Sequence, residues 1–149
     1  MGGTAHDYDL DANLGFLLRR AQQLNAALFA QLNASGLSGS QFAALCRLVD
    51  EGATSQNALG RRVNADGATI KGIVNRLEQR GAVVTSRDDA DRRQLIVQAT
   101  DDGAELFRAA ISASEATSER MLAGLTAGER ILLIELLTKI TADAPDEED

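Results

Sequence analysis

Apolar residues recur at spacings of three, four and seven through LDANLGFLLRRAQQLNAALFAQL. Leu10, Leu14, Leu17, Leu24, Leu28 and Leu32 therefore share one side of a long amphipathic helix that ends near Asn33 to Gly36. A second helix follows LSGSQ, where Ser38 and Gln41 have capping-box spacing, and runs to about Asp50 before Gly52 stops it. A short helix from about Ser55 to Arg62 comes next. A longer one, from about Asp66 to Arg80, opens on Asp66 as its cap and closes at Gly81. In that helix Ile70, Ile73, Val74 and Leu77 form one apolar stripe, leaving Gly67, Lys71, Gly72 and Asn75 on other faces. One side is core, and the other is free to meet something.

After Gly81 the period changes. AVVT and QLIVQA are short β-branched runs on either side of the charged stretch SRDDADRR, which reads as a hairpin with a charged loop. Thr100 then caps a helix whose first turn carries Asp101 and Asp102, where negative charge is favourable. Thr126 and Glu129, again at capping-box spacing, open the last helix. Ile131, Leu132, Leu133, Ile134, Leu136, Leu137 and Ile140 give that helix too many apolar positions for one buried stripe. It would bury two faces, as a central core helix of a monomer or against a partner subunit. Its place at the chain's end favours the partner, with the first helix supplying the other half of the interface. Residues 1–8 and the closing PDEED read as frayed tails.

A chain of 149 residues fits one domain, and one proline with 44% hydrophobic and 25% charged residues makes it a compact, mostly helical soluble protein. The start, MGGTAHDYDLD, is acidic and lacks the apolar core of a signal peptide. No apolar run reaches the roughly 18 residues of a membrane span. A cytoplasmic location is expected, and the lone Cys46 agrees with a reducing compartment.

The net charge of −7 argues against nucleic acid, yet its distribution reverses the argument. From Arg61 to Arg93 eight basic residues outnumber five acidic ones, so a basic central module (+3) lies between acidic ends carrying −10. Catalytic chemistry has little to work with. The only histidine, His6, lies in the tail, which removes a Ser-His or Cys-His device from the folded domain, and there is no Cys/His cluster for zinc. DYDLDAN has Ala12 where a calcium loop starting at Asp7 needs glycine and Leu18 where it needs glutamate; the hairpin loop also lacks the glycine. No enzyme, metal or cofactor is expected.

A short helix, a three-residue turn, a longer helix and a hairpin stand in the order of a winged helix-turn-helix. A helix fits the major groove, and a basic hairpin loop beside it reaches the adjacent minor groove. The block TIKGIVNRLEQRGAVVTSRDDADRRQLIVQATDDG resembles the MarR family (multiple antibiotic resistance regulators). RLEQRG closes the recognition helix, DADRR sits in the wing, and ATDDG matches the leucine-threonine-x-x-glycine that opens the following helix. The resemblance covers about Leu10 to Ile140.

It implies a mainly α, winged helix-turn-helix fold of about six helices with a two-stranded wing. Residues 37–99 would form the DNA-binding lobe, and helices within 9–34 and 101–142 the dimerisation lobe. It implies a homodimeric repressor on an inverted-repeat operator in double-stranded DNA. Arg93 would enter the minor groove and Asp91 would pair with an arginine to hold the loop, with Arg87 and Arg92 near phosphates. Recognition-helix contacts would fall on Asp66, Gly67, Ala68, Lys71 and Gly72, with Ser55 and Gln56 near a phosphate. Many relatives carry threonine, arginine and serine at Asp66, Gly67 and Ala68, and often arginine at Gly72. Specificity here would lean on Thr69, Lys71, Asn75 and the wing, or on DNA shape. The plainer alternative for Lys71 and Asn75 is a solvated helix face; Arg61 and Arg62 suit phosphate or surface roles better than base reading.

A small-molecule effector, commonly an aromatic or phenolic acid, is also implied. Arg19, Arg20 or Arg47 would meet its carboxylate, with Phe42 and Cys46 as an apolar wall, although each taken singly is more often a surface arginine or a core residue. Two other readings remain: a helical interaction protein without an operator, and a redox-sensing repressor using Cys46. For Cys46, in FAALCRLV, a core role outweighs a sensor role because no second cysteine can resolve an oxidised thiol.

Overall fold

A computed structural model of the chain describes residues 7–142. His6, most of the expected N-terminal tail and the closing PDEED lie outside the described residues. Nine elements follow in order: α1 (Leu14–Leu32), α2 (Gly39–Glu51), β1 (Thr54–Ser55), α3 (Gln56–Arg62), α4 (Gly67–Gln79), β2 (Val83–Arg87), β3 (Leu95–Ala99), α5 (Asp101–Leu122) and α6 (Ala127–Ala142). Six helices and one small antiparallel sheet give the mainly helical, winged helix-turn-helix fold.

The expected two-stranded wing is present as β2 and β3, and a third strand joins the sheet, in the order β1-β3-β2, because Thr54 pairs with Val97 and Ser55 with Ile96. Two residues are too few to show a period, so only the tertiary pairing reveals β1. The first helix begins at Leu14 rather than near Leu10, because the Asn13 side chain caps it by accepting from the Phe16 N–H at 2.9 Å. Leu10 lies in the preceding turn, and the Tyr8 hydroxyl accepts from Asn13 Nδ2.

The remaining boundaries follow local chemistry. Ser38 and Gln41 make a reciprocal capping box, Ser55 caps α3, Asp66 caps α4 and Thr100 caps α5. Between α3 and α4, Asn64 takes a positive φ of 53°, a conformation asparagine tolerates better than most residues. The two helices cross closely at Gly60, where an added Cβ would meet the Ala65 carbonyl oxygen at 3.0 Å and Ile70 Cγ2 at 3.2 Å. That crossing sets the angle at which α4 is presented.

The core lies within the winged lobe and is closed by α5. Leu45 and Leu48 of α2, Leu59 of α3, all four stripe residues of α4, Val83, Val97 and Phe107 of α5 are buried together. A tight junction joins the wing to α5. Thr100 Oγ1 donates to the Gly81 carbonyl oxygen (2.6 Å) and its N–H to that of Ala82 (3.0 Å), which draws α5 against the strand. A Cβ on Gly103 would come within 1.9 Å of the Ala82 oxygen, so the ATDDG motif needs its glycine for packing.

The outer helices differ. On α1 only Phe29 is buried, while Leu14, Leu17, Leu18 and Leu24 are exposed. No residue of α6 is buried; Ile131 is 70% exposed, and Leu132, Ile134, Leu136 and Ile140 are exposed with it. The α5–α6 corner is nonetheless fixed, because Arg130 Nη1 meets Glu119 at 2.9 Å and its Nε donates to the Leu125 carbonyl oxygen at 3.4 Å. No described helix is long and apolar enough to cross a membrane.

Candidate nucleic-acid interface

Burying Ile70, Ile73, Val74 and Leu77 turns the opposite side of α4 to solvent. At its first turn the Asp66 carboxylate accepts from the Thr69 N–H at 2.7 Å. That bond, with the Thr69 hydroxyl and the Ala68 N–H, holds the Asp66 carboxyl below its ordinary range, so it stays anionic. Gly67, Ala68 and Thr69 are exposed beside it, and nothing lies within 4 Å of where a Gly67 Cβ would be.

Three segments distant in sequence converge at the foot of the wing. Ser55, Gln56 and Asn57 from the start of α3, Lys71 and Asn75 from α4, and Arg87, Arg93, Gln94 and Leu95 from the wing line one hollow of about 260 Å³. Three of these side chains are cationic and none is anionic. An adjoining hollow is shared by Ser55, Asn57, Arg61, Asp91, Arg93 and Gln94. The β1–β3 pairing explains the convergence: it holds Ser55 beside Ile96, and Ser55 Oγ accepts from the Ala58 N–H at 3.2 Å to start α3 there.

The wing tip is built from its aspartates. Asp88 Oδ1 accepts from the Ala90 N–H (2.9 Å), and the loop closes through Asp88 N–H to the Gln94 carbonyl oxygen (3.1 Å) and Gln94 N–H to that of Asp91 (2.9 Å). Asp91 Oδ1 accepts from both the Arg93 N–H (3.1 Å) and Nε (3.2 Å). The arginine that Asp91 holds is thus Arg93 itself, and these bonds, the side-chain one foremost, keep the Asp91 carboxyl below its ordinary range. The brace spares the cation, since 92% of the Arg93 side chain is exposed. Arg87 Nη1 donates weakly to the Arg93 carbonyl oxygen at 3.5 Å, and Arg92 is exposed.

Arg61 and Arg62 diverge. Arg61 enters the adjoining hollow, whereas Arg62 turns back to Glu51 at 2.7 Å. Asn57 and Gln94 line the hollow although sequence reasoning passed them over. Gln94 directly follows the wing arginines and Asn57 directly follows Gln56, so adjacency was the signal available.

The residues expected around an effector are not joined to one another by any side-chain hydrogen bond or ion pair among the described residues. Arg19 is exposed on α1, and the Arg20 guanidinium lies 5.9 Å from the Phe16 ring centre. Arg47 pairs with Glu51 at 3.1 Å. Phe42 packs between Phe29 and Phe107 with ring centres 5.6 and 5.2 Å away, which gives it a core role in the single chain. Cys46 Sγ donates to Asp50 Oδ2 at 3.4 Å. Burial first, then that bond and the Asp50 charge, push the thiol up from its usual 9.0, which counters a redox role.

Comparison with known proteins gives a consistent picture. The family model described as MarR family matches residues 37–95, the span from the start of α2 to β3. The chain is 42% identical over 134 residues to the HTH-type transcriptional repressor NicR of Pseudomonas putida, covering 89% of this chain and 85% of that repressor. Among solved structures it is similar to Bordetella bronchiseptica BpsR, whose DNA binding is regulated by 6-hydroxynicotinic acid (TM-score 0.85, 35% identity, 94% of this chain and 100% of that one). It is also similar to the PcaV transcriptional regulator of Streptomyces coelicolor in complex with its natural ligand (TM-score 0.85, 31% identity, 95% of this chain and 99% of that one).

Proposed function

The chain belongs to the MarR family of transcription regulators, and we propose that it is a ligand-responsive repressor that binds an inverted-repeat operator as a homodimer and lets go when a small ring carboxylic acid binds. The observation that carries this reading is the convergence of Lys71, Asn75, Ser55, Gln56, Arg87 and Arg93 on one acid-free hollow at the foot of the wing. Within a chain of net charge −7, such a surface is suited to phosphate and base edges. In this reading residues 37–99 form the DNA-binding lobe. Helices within 9–34 and 101–142 pair with those of a second copy, covering the apolar residues that α1 and α6 leave open.

Lys71, Asn75 and Thr69 face the major groove from α4, with Asp66, Gly67, Ala68 and Gly72 beside them. Arg93 reaches the minor groove, while Ser55, Gln56, Arg61, Arg87 and Arg92 meet the backbone, and Asp91 braces the wing. The effector belongs between the two lobes, near Arg19, Arg20, Arg47, Phe42 and Cys46, and acts by preferring a spacing of recognition helices that does not fit DNA. The likeness to BpsR supports a hydroxylated ring acid such as 6-hydroxynicotinic acid. The test is fluorescence anisotropy of the purified protein on duplex DNA from upstream of its own gene, at rising salt and then with 6-hydroxynicotinic acid. Tight binding that falls steeply with salt supports the repressor. No binding at low salt without ligand would remove it, and binding untouched by the acid would remove that effector class.

A further inference from the structure

Gly72 lies on α4 two residues from Ile70 and Val74, off the buried stripe, and is half-buried between the exposed Lys71, Asn75 and Arg76. Its φ is not positive, and nothing else in the backbone requires glycine there. A glycine inside a helix weakens it, and here it leaves a space that a single Cβ would share at ordinary contact distance but that a longer side chain would fill. That space holds the Arg76 guanidinium: a Cβ on Gly72 would lie 3.5 Å from Arg76 Nη2, 3.6 Å from Nη1 and 3.8 Å from Cζ. Long side chains of a helix point back toward its N-terminus, which carries Arg76 over the residue one turn before it.

The other arginine near the end of α4 is tied down, with Arg80 Nη2 donating to the Ser35 carbonyl oxygen at 2.6 Å. In the wing, Arg93 gives only its Nε to Asp91, and Arg87 makes one long bond to the Arg93 carbonyl oxygen. Arg76 is exposed, and its guanidinium has no hydrogen bond or ion pair among the described residues, so its five N–H donors remain unspent. A planar fork on the outward side of the helix that would lie in the major groove matches the two acceptors of guanine, O6 and N7.

We propose that Arg76, laid across the gap at Gly72, reads a guanine in each half-site, and that Gly72 determines specificity by leaving that gap open. The inference rests on the DNA-binding reading above and adds a base reader to it.

The experiment is selection from a pool of randomised duplex DNA with the full-length protein, followed by binding isotherms on the selected sequence and on versions with one base pair changed. Wild type should select guanine at one position of each half-site. Arg76→Ala should lose that preference, by roughly 5- to 150-fold, while keeping those at other positions. Gly72→Leu keeps Arg76 but fills its gap, and should cost the same preference at the same position; helix content and oligomeric mass of both variants are checked alongside. Uniform weakening on all sequences by Arg76→Ala, with the salt slope reduced by about one, would make Arg76 a phosphate contact and overturn the proposal. An unchanged preference in either variant would overturn it too. Failure of wild type to bind any duplex is a separate result, and it removes the DNA reading itself.

Discussion

Gly103 is packed against the Ala82 carbonyl oxygen so closely that a single added carbon would sit 1.9 Å from it. Backbone opposes that carbon, and backbone cannot swing aside as a side chain can. Gly103→Ala should therefore destabilise the fold by roughly 3 kcal/mol or more, read as a lower denaturant midpoint at unchanged slope. A midpoint near wild type would mean that α5 and the wing are joined more loosely than this contact requires.

At the wing, Arg93→Ala removes the exposed cation and leaves the paired strands intact. Binding to the operator should weaken roughly 10- to 100-fold, with circular dichroism and oligomeric mass unchanged. Equal affinity would reduce RDDADRRQ to a solvated hairpin tip.

The Asp91–Arg93 brace also has a pH signature. Because the Asp91 carboxyl is lowered in the folded protein, its contribution is fully present above the ordinary carboxylate value of 3.8 and is lost as pH falls through the lowered one. Neutral pH should leave the wing unaffected. A carbon-detected NMR titration should place the Asp91 midpoint below 3.8, and Arg93→Ala should return it toward that value. A midpoint at or above 3.8 in wild type argues that the pair does not form in solution.

Cys46 offers the opposite shift. A thiol raised above 9.0 carries little thiolate at neutral pH, so alkylation by iodoacetamide should be slow there and accelerate only in strongly alkaline buffer. Cys46→Ser should retain operator binding and its insensitivity to peroxide. Rapid alkylation at neutral pH would revive the redox alternative.

The apolar surface of α6 predicts an assembly. Sedimentation should give twice the 15.8 kDa chain mass. Ile131→Glu, at a position 70% exposed in one chain, should yield monomer and abolish operator binding. A monomeric wild type would contradict the dimer directly.

Much of the fold was legible because its signals are local. Ser38, Ser55, Asp66 and Thr100 stand at helix starts, and Ile70, Ile73, Val74 and Leu77 mark the buried side of α4. What escaped was non-local: β1 exists only through its pairing with β3, and Arg76 looks like any surface arginine until its guanidinium is seen over Gly72. Periodicity also could not tell which apolar faces this chain covers by itself. The leucines of α1 fit a helix as expected, yet in the single chain most remain exposed.

The two-residue strand β1 has a mechanical consequence. Ser55 is pinned to the inner wing strand on one side and begins α3 on the other, so the foot of the wing is geared to the helix pair instead of hinging against it. Leverage is confined to the seven residues from Asp88 to Gln94, beyond the last strand pair of Arg87 with Leu95. A strain applied to the helices would turn Arg87 and Lys71 together as one rigid jaw, while only the braced tip around Arg93 keeps freedom to adapt to the width of whatever it enters.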